Sequence, residues 1–443
     1  MKSRKLSPIQ LLSIGFVLLS LTGGFILCLP FSSASGGSTP YLDALFTATS
    51  AVTTTGLIVV DTGSHYNLFG QLVILILFQI GGLGYMLFFV VIALFLGKRL
   101  TLHNTLLLQE TVKKPIRIEV IKFSKMILLF TFAVELIGTV VLSLYFSNYF
   151  PMPHAVYSAF FHSVSAFNTA GFSIYSDSLS QFNNSLMLNI VIILIFSAGC
   201  LGFWVVFDTY RHIKNKFRKK KPSHLSVQSK LVYCLAFIFF IVGTFVIYFS
   251  EDWSAMMPFR EKLLSSVFQT LTAVSTTGFN TIDIGAMSVT GLVLIIGFMF
   301  IGAGPGGTAG GIKITTLGVL LASLSSILSQ KERVNIFNRN ISLEIVQRAF
   351  AIFSLAAIWA FLTLVVLSFT EEAPFIQILF EVFSALGTVG LSTGITSDLS
   401  AIGKCFIIVT MLVGRIGPLG IGLSIFSKHR ELVRYPKGKI FVG

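Results

Sequence analysis

The stretch STTGF at residues 275–279 has three counterparts, TTTGL at 53–57, NTAGF at 168–172 and GTVGL at 387–391. Each closes a longer match that aligns without a gap: FTATSAVTTTGL, FHSVSAFNTAGF, FQTLTAVSTTGF and FEVFSALGTVGL. The glycines of these matches, Gly56, Gly171, Gly278 and Gly390, are separated by 115, 107 and 112 residues. Repeats of this length are whole structural units. The sequence therefore predicts a chain built from four copies of one unit.

The composition indicates a membrane protein. Of the 443 residues, 54% are hydrophobic and 11% are charged, whereas a soluble domain has roughly 25% charged residues. A helix needs about 20 largely apolar residues to cross a bilayer. Apolar windows of about this length or longer occur at 11–29, 68–96, 126–146, 186–207, 231–249, 289–327, 349–368 and 405–427. We therefore predict an all-α, polytopic membrane protein.

The distribution of the basic residues predicts the orientation. Both ends and alternate connections between the apolar windows hold 27 of the 32 Lys and Arg residues, and the other connections are acidic. Lys and Arg stay on the cytoplasmic side during insertion. We expect a multi-pass protein of the bacterial plasma membrane with both termini in the cytoplasm, and a nucleic-acid partner is excluded. The basic linker RHIKNKFRKKKP at 211–222 either records topology alone or docks a regulatory protein or anionic lipid.

The first apolar run imitates a signal peptide, but its 19 residues (11–29) exceed the usual core of about 7–15. The repeat pattern also requires it. The four cysteines lie singly inside apolar segments and are interpreted as small buried hydrophobes.

Each unit is predicted to fold as helix, pore helix, extended loop and helix. A spanning segment is followed by a proline, then by an apolar stretch too short to span, which favours a re-entrant helix. The prolines are Pro40, Pro153, Pro258 and Pro374. The units are expected at 1–100, 101–225, 226–335 and 336–443, the last including a C-terminal tail.

The four glycine-ended stretches are predicted to line a central pseudo-fourfold pore. Non-helical backbone at membrane depth is tolerated where it lines a wet cavity, and its carbonyls can replace the hydration shell of an ion. Glycine supplies the positive φ that lets carbonyls face one side. The candidate ion filter is Thr53, Thr54, Thr55, Gly56, Asn168, Thr169, Ala170, Gly171, Ser275, Thr276, Thr277, Gly278, Gly387, Thr388, Val389 and Gly390. The alternative is four helix caps in a transporter bundle.

One column of the repeat is polar in every copy, directly after the repeat's first Phe. It holds Thr47, His162, Gln269 and Glu381. We expect these side chains to support the filter from behind by hydrogen bonds; the alternative is a polar helix face satisfied by water.

The segment GAGPGGTAGGIK at 302–313 contains the dinucleotide fingerprint G-x-G-x-x-G but interrupts an apolar helix, so it lacks the required strand context. Six glycines and a proline cannot sustain a helix. The sequence predicts a flexible intramembrane gating loop at 302–316, lying across the pore inside the filter. The gate candidates are Gly302, Gly304, Gly306, Gly307, Gly310, Gly311, Lys313 and Arg415.

Arg415 interrupts the last apolar segment, and an intramembrane cation is costly and usually functional or paired. We expect it to face the pore or the gating loop as an electrostatic barrier; the alternative is a salt bridge to a carboxylate. Lys313 is either a gate charge or a snorkelling lysine. Glu135 and Asp208 are predicted to be structural.

In these residues the chain resembles the Ktr/Trk/HKT superfamily of potassium transporters, and within it the membrane subunit of bacterial Ktr systems. The four repeat anchors carry the resemblance together with IGGLGYM at 80–86, GAGPGGTAGGIKITT at 302–316 and GRIGPLG at 414–420. The resemblance implies four repeats around one permeation path, a single filter glycine per repeat, and K⁺ as substrate, with Na⁺ passing or assisting.

The same resemblance implies a homodimer and control by a cytosolic ring of RCK-type subunits, which would carry the nucleotides. It implies that the tail RYPKGKIFVG at 434–443 lies near the dimer interface. Membrane lipids are the other expected partners. No cofactor is expected on this chain, and the only metal expected is K⁺ at the filter.

Two rival functions remain. A symporter would couple K⁺ uptake to Na⁺ or H⁺, and would accumulate K⁺ beyond its equilibrium with the membrane potential. A membrane enzyme or lipid scaffold is disfavoured, because the sequence shows no carboxylate pair, no Ser-His-Asp set and no metal-ligand cluster.

Overall fold

The computed structural model describes residues 8–84, 117–217, 224–251 and 257–420. The helices of its first half are α1 (Pro8–Cys28), α2 (Tyr41–Val52), α3 (Thr62–His65), α4 (Leu68–Leu83), α5 (Arg117–Phe146), α6 (Met152–Phe167), α7 (Leu186–Cys200) and α8 (Phe203–Phe217). Those of its second half are α9 (Val227–Ser250), α10 (Phe259–Val274), α11 (Val289–Phe300), α12 (Ile314–Leu328), α13 (Leu343–Thr370), α14 (Phe375–Gly387) and α15 (Ala401–Ile416).

Two pairs of short strands complete the described chain. β1 (Ile301–Gly302) pairs in parallel with β2 (Ile312–Lys313). β3 (Asn335–Ile336) pairs antiparallel with β4 (Arg339–Asn340). The mostly helical, apolar architecture confirms the predicted fold class of an all-α polytopic membrane protein.

The first helix of each repeat is the spanning one. Among the described residues, α1, α5, α9 and α13 are long and apolar enough to cross a membrane. Their outward faces are apolar: Leu129 is 74% exposed and Phe369 is 87% exposed. A surface of this kind is stable against lipid chains and would aggregate in water.

The second helix ends early in every repeat. This interruption was predicted for the third repeat, and in the other three it corrects windows predicted as continuous spans. α4, α7, α11 and α15 are 12 to 16 residues long. The window 186–207 breaks at Leu201, and α8 leaves at an angle of 99° to α7. Gly84 and Gly417 end α4 and α15 with positive φ, as is common at helix ends. The windows at 68–96 and 405–427 continue outside the described residues.

The short helices α2, α6, α10 and α14 each begin after a proline that occupies the N-cap position: Pro40, Pro151, Pro258 and Pro374. In the second repeat the predicted proline was wrong by two residues, because Pro153 lies in the first turn of α6. Proline suits the start of a helix, where its missing N–H costs no hydrogen bond.

Two residues of the acidic connections have structural partners. Glu251 accepts hydrogen bonds from the backbone N and Oγ of Ser288 at 3.0 and 2.8 Å. Glu371 accepts from the same two atoms of Ser400 at 2.9 and 2.6 Å. Each carboxylate thus caps the amino end of the second helix of its own repeat, where a negative charge is stabilised.

Asp208 also has the structural role predicted for it. Its carboxylate accepts from the backbone N of Ser226 at 2.8 Å and from Ser229 Oγ at 2.7 Å. These bonds tie α8 to the start of α9. The basic linker lies partly in α8, and its residues 218–222 are outside the described part of the chain.

Candidate functional site

The four glycine-ended stretches meet in a closed ring. We call residues 53–57, 168–172, 275–279 and 387–391 the ring segments. A β-carbon added to Gly56 would collide with the carbonyl oxygen of Ala170, and one added to Gly171 would approach that of Thr277. The same holds for Gly278 against Val389 and for Gly390 against Thr55. Each glycine therefore packs against the backbone of the next repeat, and the fourth repeat returns to the first.

The ring segments share one backbone conformation. The glycines have φ between 68° and 92°, which agrees with the predicted need for glycine. The central threonines, Thr54, Thr169, Thr276 and Thr388, also lie in the left-handed region, with φ of 48° to 54°. Non-glycine residues rarely adopt this conformation, and it costs free energy that the surroundings must supply. Four occurrences at equivalent positions mark the ring as a site whose shape matters.

Hydrogen bonds to the preceding helix hold that conformation in the same way four times. The N–H of each central threonine donates to an alanine carbonyl of its own short helix. The next N–H, that of Thr55, Ala170, Thr277 or Val389, donates to a Ser or Thr carbonyl at 2.8 to 2.9 Å. The carboxyl ends of α2, α6, α10 and α14 thus converge on the ring. A helix carboxyl end carries partial negative charge and attracts cations.

The side chains divide the ring into two diagonal pairs. In the first repeat the hydroxyls of Thr53 and Thr55 bond each other at 2.7 Å. In the third, Ser275 and Thr277 do so at 2.6 Å. The corresponding residues of the other repeats are Asn168 with Ala170, and Gly387 with Val389, which cannot form this pair. Repeats one and three are therefore alike, and repeats two and four lack their hydroxyl pair.

Asn168 instead bonds outside its own ring segment. Its Nδ2 donates to Gln79 Oε1 at 2.5 Å and to Glu135 Oε1 at 3.2 Å. Gln79 Nε2 in turn donates to Glu135 Oε2 at 3.2 Å. Glu135 and Asn168 are buried. The three side chains therefore form one polar cluster between α4, α5 and the second ring segment.

The residues between β1 and β2, 303–311, lie directly against the ring. We call them the glycine loop. Thr308 Oγ1 donates to the carbonyl of Phe167 at 3.0 Å, and the N–H of Gly310 donates to Thr276 Oγ1 at 3.0 Å. A β-carbon on Gly310 would collide with Thr388 Oγ1. The loop thus contacts the second, third and fourth repeats at once.

The end of α7 holds the other side of the glycine loop. The N–H groups of Gly304 and Thr308 donate to the carbonyls of Cys200 and Gly199 at 3.1 Å each, and the N–H of Phe203 donates to Gly306 at 3.1 Å. The helix resumes at Ile314, so the predicted loop 302–316 was too long by three residues. β1 and β2 close its base by pairing.

The glycines of this loop have two structural reasons. A β-carbon on Gly302, Gly304 or Gly307 would come too close to a backbone carbonyl oxygen. A β-carbon on Gly310 would collide with the side-chain hydroxyl of Thr388. Gly306 and Gly311 have φ of 76° and 66°. The loop is therefore built for close approach of backbone to backbone.

Arg415 joins the glycine loop to the first repeat. It lies in the last turn of α15 and donates to the carbonyls of Thr308, of Gly81 at 2.6 Å and of Gly82 at 3.2 Å. The acceptors found in the described residues are backbone carbonyls, which disfavours the alternative of a salt bridge. Lys313 Nζ donates to the carbonyls of Ala309 and Gly310 at 2.6 and 2.8 Å, so this lysine also contacts the loop.

The polar column lies behind the ring, and all four of its side chains are buried. Three of them bond the chain that leaves the ring. His162 Nε2 contacts Ser173 Oγ at 2.9 Å, and Gln269 Nε2 donates to Thr281 Oγ1 at 3.4 Å. Glu381 accepts from the hydroxyls of Ser392 and Thr396. Thr47 donates to the carbonyl of Asp43 in its own helix at 2.9 Å.

Sequence reasoning placed Thr308 within the predicted loop 302–316, but it did not assign Gln79, Gly81, Gly82 or Glu135 to the site. The motif IGGLGYM did mark the two glycines whose carbonyls receive Arg415. An intramembrane carboxylate is a functional signal by default, and on that ground Glu135 could have been found.

A closed ring of glycine-ended segments inside a bundle of apolar helices is typical of membrane proteins that transport ions. The family model for TrkH, a cation transport protein, matches residues 16–430. The chain is 40% identical to the Ktr system potassium uptake protein B of Bacillus subtilis, covering 99% of this chain and 97% of that protein. It is 37% identical to the potassium/sodium uptake protein NtpJ of Enterococcus hirae, covering 99% and 98%.

The fold is similar to the crystal structure of the potassium transporter TrkH from Vibrio parahaemolyticus. The TM-score is 0.74 at 19% sequence identity, covering 96% of this chain and 86% of that one. The chain therefore belongs to the TrkH family of cation transport proteins. This confirms the predicted family and the prediction that the protein is not an enzyme.

Proposed function

We propose that the protein takes up K⁺ through the centre of the ring, with the ring segments as the selectivity filter. The observation that supports this most is the closed ring itself, in which four left-handed segments pack glycine to carbonyl. Carbonyls held in this way can replace the hydration shell of a cation. The two full-length relatives described above carry potassium in their names.

The hydroxyl groups of the central threonines support a wet path through the ring. Thr54 Oγ1 and Thr388 Oγ1 are buried and have no hydrogen-bond partner among the described residues. Buried polar atoms are nearly always satisfied by protein, water or ions. A file of hydrated or partly hydrated cations in the ring would satisfy both hydroxyls.

The glycine loop is proposed as the gate, with Arg415 and Lys313 as its latch. The loop contacts the second, third and fourth repeats, and Arg415 ties it to the first. A buried arginine also repels cations, which adds an electrostatic barrier. Opening then requires the loop to leave Thr276, Phe167 and Arg415.

Control is proposed to come from a separate cytosolic ring of RCK-type subunits that binds nucleotides, acting on a homodimer in the plasma membrane with both termini cytoplasmic. The name of the Bacillus relative, a protein of a Ktr system, supports a further component. The proposed dimer-interface tail, 434–443, lies outside the described residues.

Uptake of radioactive rubidium into vesicles that contain the full chain tests the filter. Unlabelled K⁺ should compete at lower concentration than Na⁺ if the ring selects by carbonyl coordination. Equal competition by both ions would contradict the proposed filter.

A coupled K⁺–Na⁺ transporter is the second candidate, because the relative from Enterococcus hirae is named a potassium/sodium uptake protein. The discriminating measurement is the K⁺ gradient at steady state with a clamped membrane potential. Accumulation beyond the equilibrium set by that potential, and only with Na⁺ outside, would favour the coupled mechanism.

Arg415→Ala tests the gate. Loss of its hydrogen bonds to Thr308, Gly81 and Gly82 should raise rubidium flux without the cytosolic partner by about tenfold, since bonds from a charged donor contribute about 1.5–3 kcal/mol. Arg348→Ala is the matched control, because Arg348 pairs with Glu344 on an exposed helix face. A folded Arg415→Ala variant with unchanged flux would contradict the latch.

A further inference from the structure

Glu135 is the buried carboxylate that the proposed path does not use. It lies in α5, is 5% exposed, and contacts the ring through Asn168. Its two oxygens take different partners, Asn168 Nδ2 and Gln79 Nε2, both at 3.2 Å. The carboxylate thus links the second helix of the first repeat to the first position of the second ring segment.

Comparison of the repeats shows that this carboxylate is special to the second one. The first helices of three repeats approach their short helices through a glycine, which lies opposite the residue eight positions before the ring glycine. These glycines are Gly23, Gly138 and Gly243, opposite Ala48, Ser163 and Thr270. Three positions before each glycine stand Ser20, Glu135 and Phe240. Packing alone therefore does not require an acid at this place.

Asn168 depends on the cluster for its orientation. Asn168 is the C-cap residue of α6. Within that helix its side chain has one acceptor, the carbonyl of Val164 at 2.9 Å. Gly82 leaves space for the amide, since a β-carbon there would collide with Asn168 Oδ1. The other acceptors are Gln79 and Glu135. Glu135 accepts from both amides of the cluster, so without it Gln79 loses the partner of its Nε2, and the pair of Gln79 and Asn168 can reorient together.

Rotation of Asn168 would reach the conduction path in two ways. The backbone carbonyl of Asn168 accepts from Thr169 Oγ1 at 2.7 Å, and Thr169 contacts Thr308 of the glycine loop at 3.4 Å. Gly82, which packs against the side chain of Asn168, offers its carbonyl to Arg415. Asn168 therefore contacts both the ring backbone and a residue that binds the latch.

We propose that Glu135 is a positioning residue that sets ion selectivity by fixing the amide of Asn168 through a hydrogen bond. It acts through Asn168 and does not touch the ion. This inference rests on the proposed role of the ring segments as the filter.

The experiment compares Glu135→Ala, Asn168→Ala and the double variant in the full chain, expressed in a bacterial host without its own potassium uptake. The readout is the ratio of two concentrations: that of Na⁺ and that of K⁺ that halve rubidium uptake. A purely structural role would change the amount of protein in the membrane and leave this ratio unchanged. Each single variant should lower the ratio of Na⁺ to K⁺ half-competition by about fivefold, and the double variant should be no worse, because coupled residues are not additive.

An exchange of the two groups keeps the proposal testable if Glu135→Ala does not fold. Asn168→Asp alone places two carboxylates face to face and should shift selectivity. Adding Glu135→Gln restores one donor and one acceptor and should recover the wild-type ratio within about twofold. Ser20→Ala, the equivalent change in the first repeat, should have no effect on the ratio.

Additive effects in the double variant, or an exchange that fails to rescue Asn168→Asp, would overturn the role of Glu135. Gly171→Ala serves as the separate test of the filter. If that variant shifts selectivity and the Glu135 variants do not, the positioning role alone fails. If neither shifts it, the proposed filter fails as well.

Discussion

Repeats one and three of the ring differ from repeats two and four in how their ring segments are held. The first pair is braced internally, because Thr53 bonds Thr55 and Ser275 bonds Thr277. Of the second pair, one member relies on Gln79 and Glu135 outside the segment, and the other begins with Gly387. The backbone conformation repeats in all four segments, whereas only the first and third share their side-chain arrangement. The comparison teaches that the shared conformation is set by the main chain, whereas each repeat stabilises it differently.

The largest effect is expected where all four repeats are equal. Alanine at Gly56, Gly171, Gly278 or Gly390 would collide with the carbonyl of the next repeat and would hold a left-handed conformation that costs about 1–2 kcal/mol. We expect K⁺ uptake to fall at least about tenfold for every position.

Rubidium uptake, normalised to the amount of protein in the membrane, is the measurement. Alanine at Gly394, which has positive φ but open space around it, is the control for strain alone. Loss of uptake at only two diagonally opposite glycines would show that the four backbone segments are not functionally equivalent.

A smaller effect on flux is expected from a substitution that distinguishes the third repeat from the first. Thr276→Val removes the hydroxyl that accepts from the N–H of Gly310 at 3.0 Å, which should release the glycine loop. Partner-independent flux should rise about fivefold, in line with about 1 kcal/mol for one hydrogen bond.

Thr54→Val is the matched control for this change. It alters the equivalent residue of the first repeat, whose hydroxyl has no partner among the described residues. An equal rise in flux from both variants would argue that valine disturbs the left-handed backbone and that the bond to the loop is unimportant.

Loss of the hydroxyl pairs Thr53–Thr55 and Ser275–Thr277 should have a moderate effect on stability. Thr277→Val or Thr55→Val removes one hydrogen bond of a buried pair, which costs about 0.5–1.5 kcal/mol, since Ser275 and Thr53 keep their bonds to the carbonyls of Thr272 and Thr49. Val389→Thr, the reverse change in the fourth repeat, should not stabilise, because Gly387 offers no hydroxyl to pair with. Thermal unfolding of the purified protein in detergent gives the comparison; a stabilised Val389→Thr variant would contradict it.

The smallest effect on stability is expected for single contacts between neighbouring repeats. Lys404 of the fourth repeat pairs with Asp43 of the first at 2.8 Å, and both side chains are less than one-fifth exposed. Between the second and third repeats, Leu179 N donates to the carbonyl of Asn280 at 3.0 Å. Lys404→Met should lower the free energy of unfolding by about 1 kcal/mol, at the upper end for such pairs.

Chemical unfolding measures this loss, with Arg348→Met as the exposed control. A change equal to that of the control would mean that the ion pair between the first and fourth repeats contributes nothing to ring closure.

The sequence predicted the parts of the site that repeat. Four copies of one pattern gave the ring segments, the short helices before them and the positive φ of the ring glycines. It also predicted an interruption in the second helix of the third repeat. The positive φ of the central threonines was not predicted, because threonine does not favour that conformation.

The parts that occur once were harder to predict. The cluster of Gln79, Glu135 and Asn168 joins residues that are 33 to 89 positions apart, and no local pattern brings them together. The acceptors of Arg415 are backbone carbonyls, which every residue has, so sequence could identify the cation and not its partners. The capping by Glu251 depends on helix ends meeting in space.

The packing of Gly390 against the backbone of Thr55 has a consequence for biosynthesis. The first and last quarters of the ring are more than 300 residues apart in the chain, so the ribosome delivers them long after one another. Until the final quarter is synthesised, the backbone contacts of Gly278 with Val389 and of Gly390 with Thr55 cannot form. Closure of the ring must therefore follow synthesis of the fourth repeat, so a prematurely terminated chain would lack a complete ring.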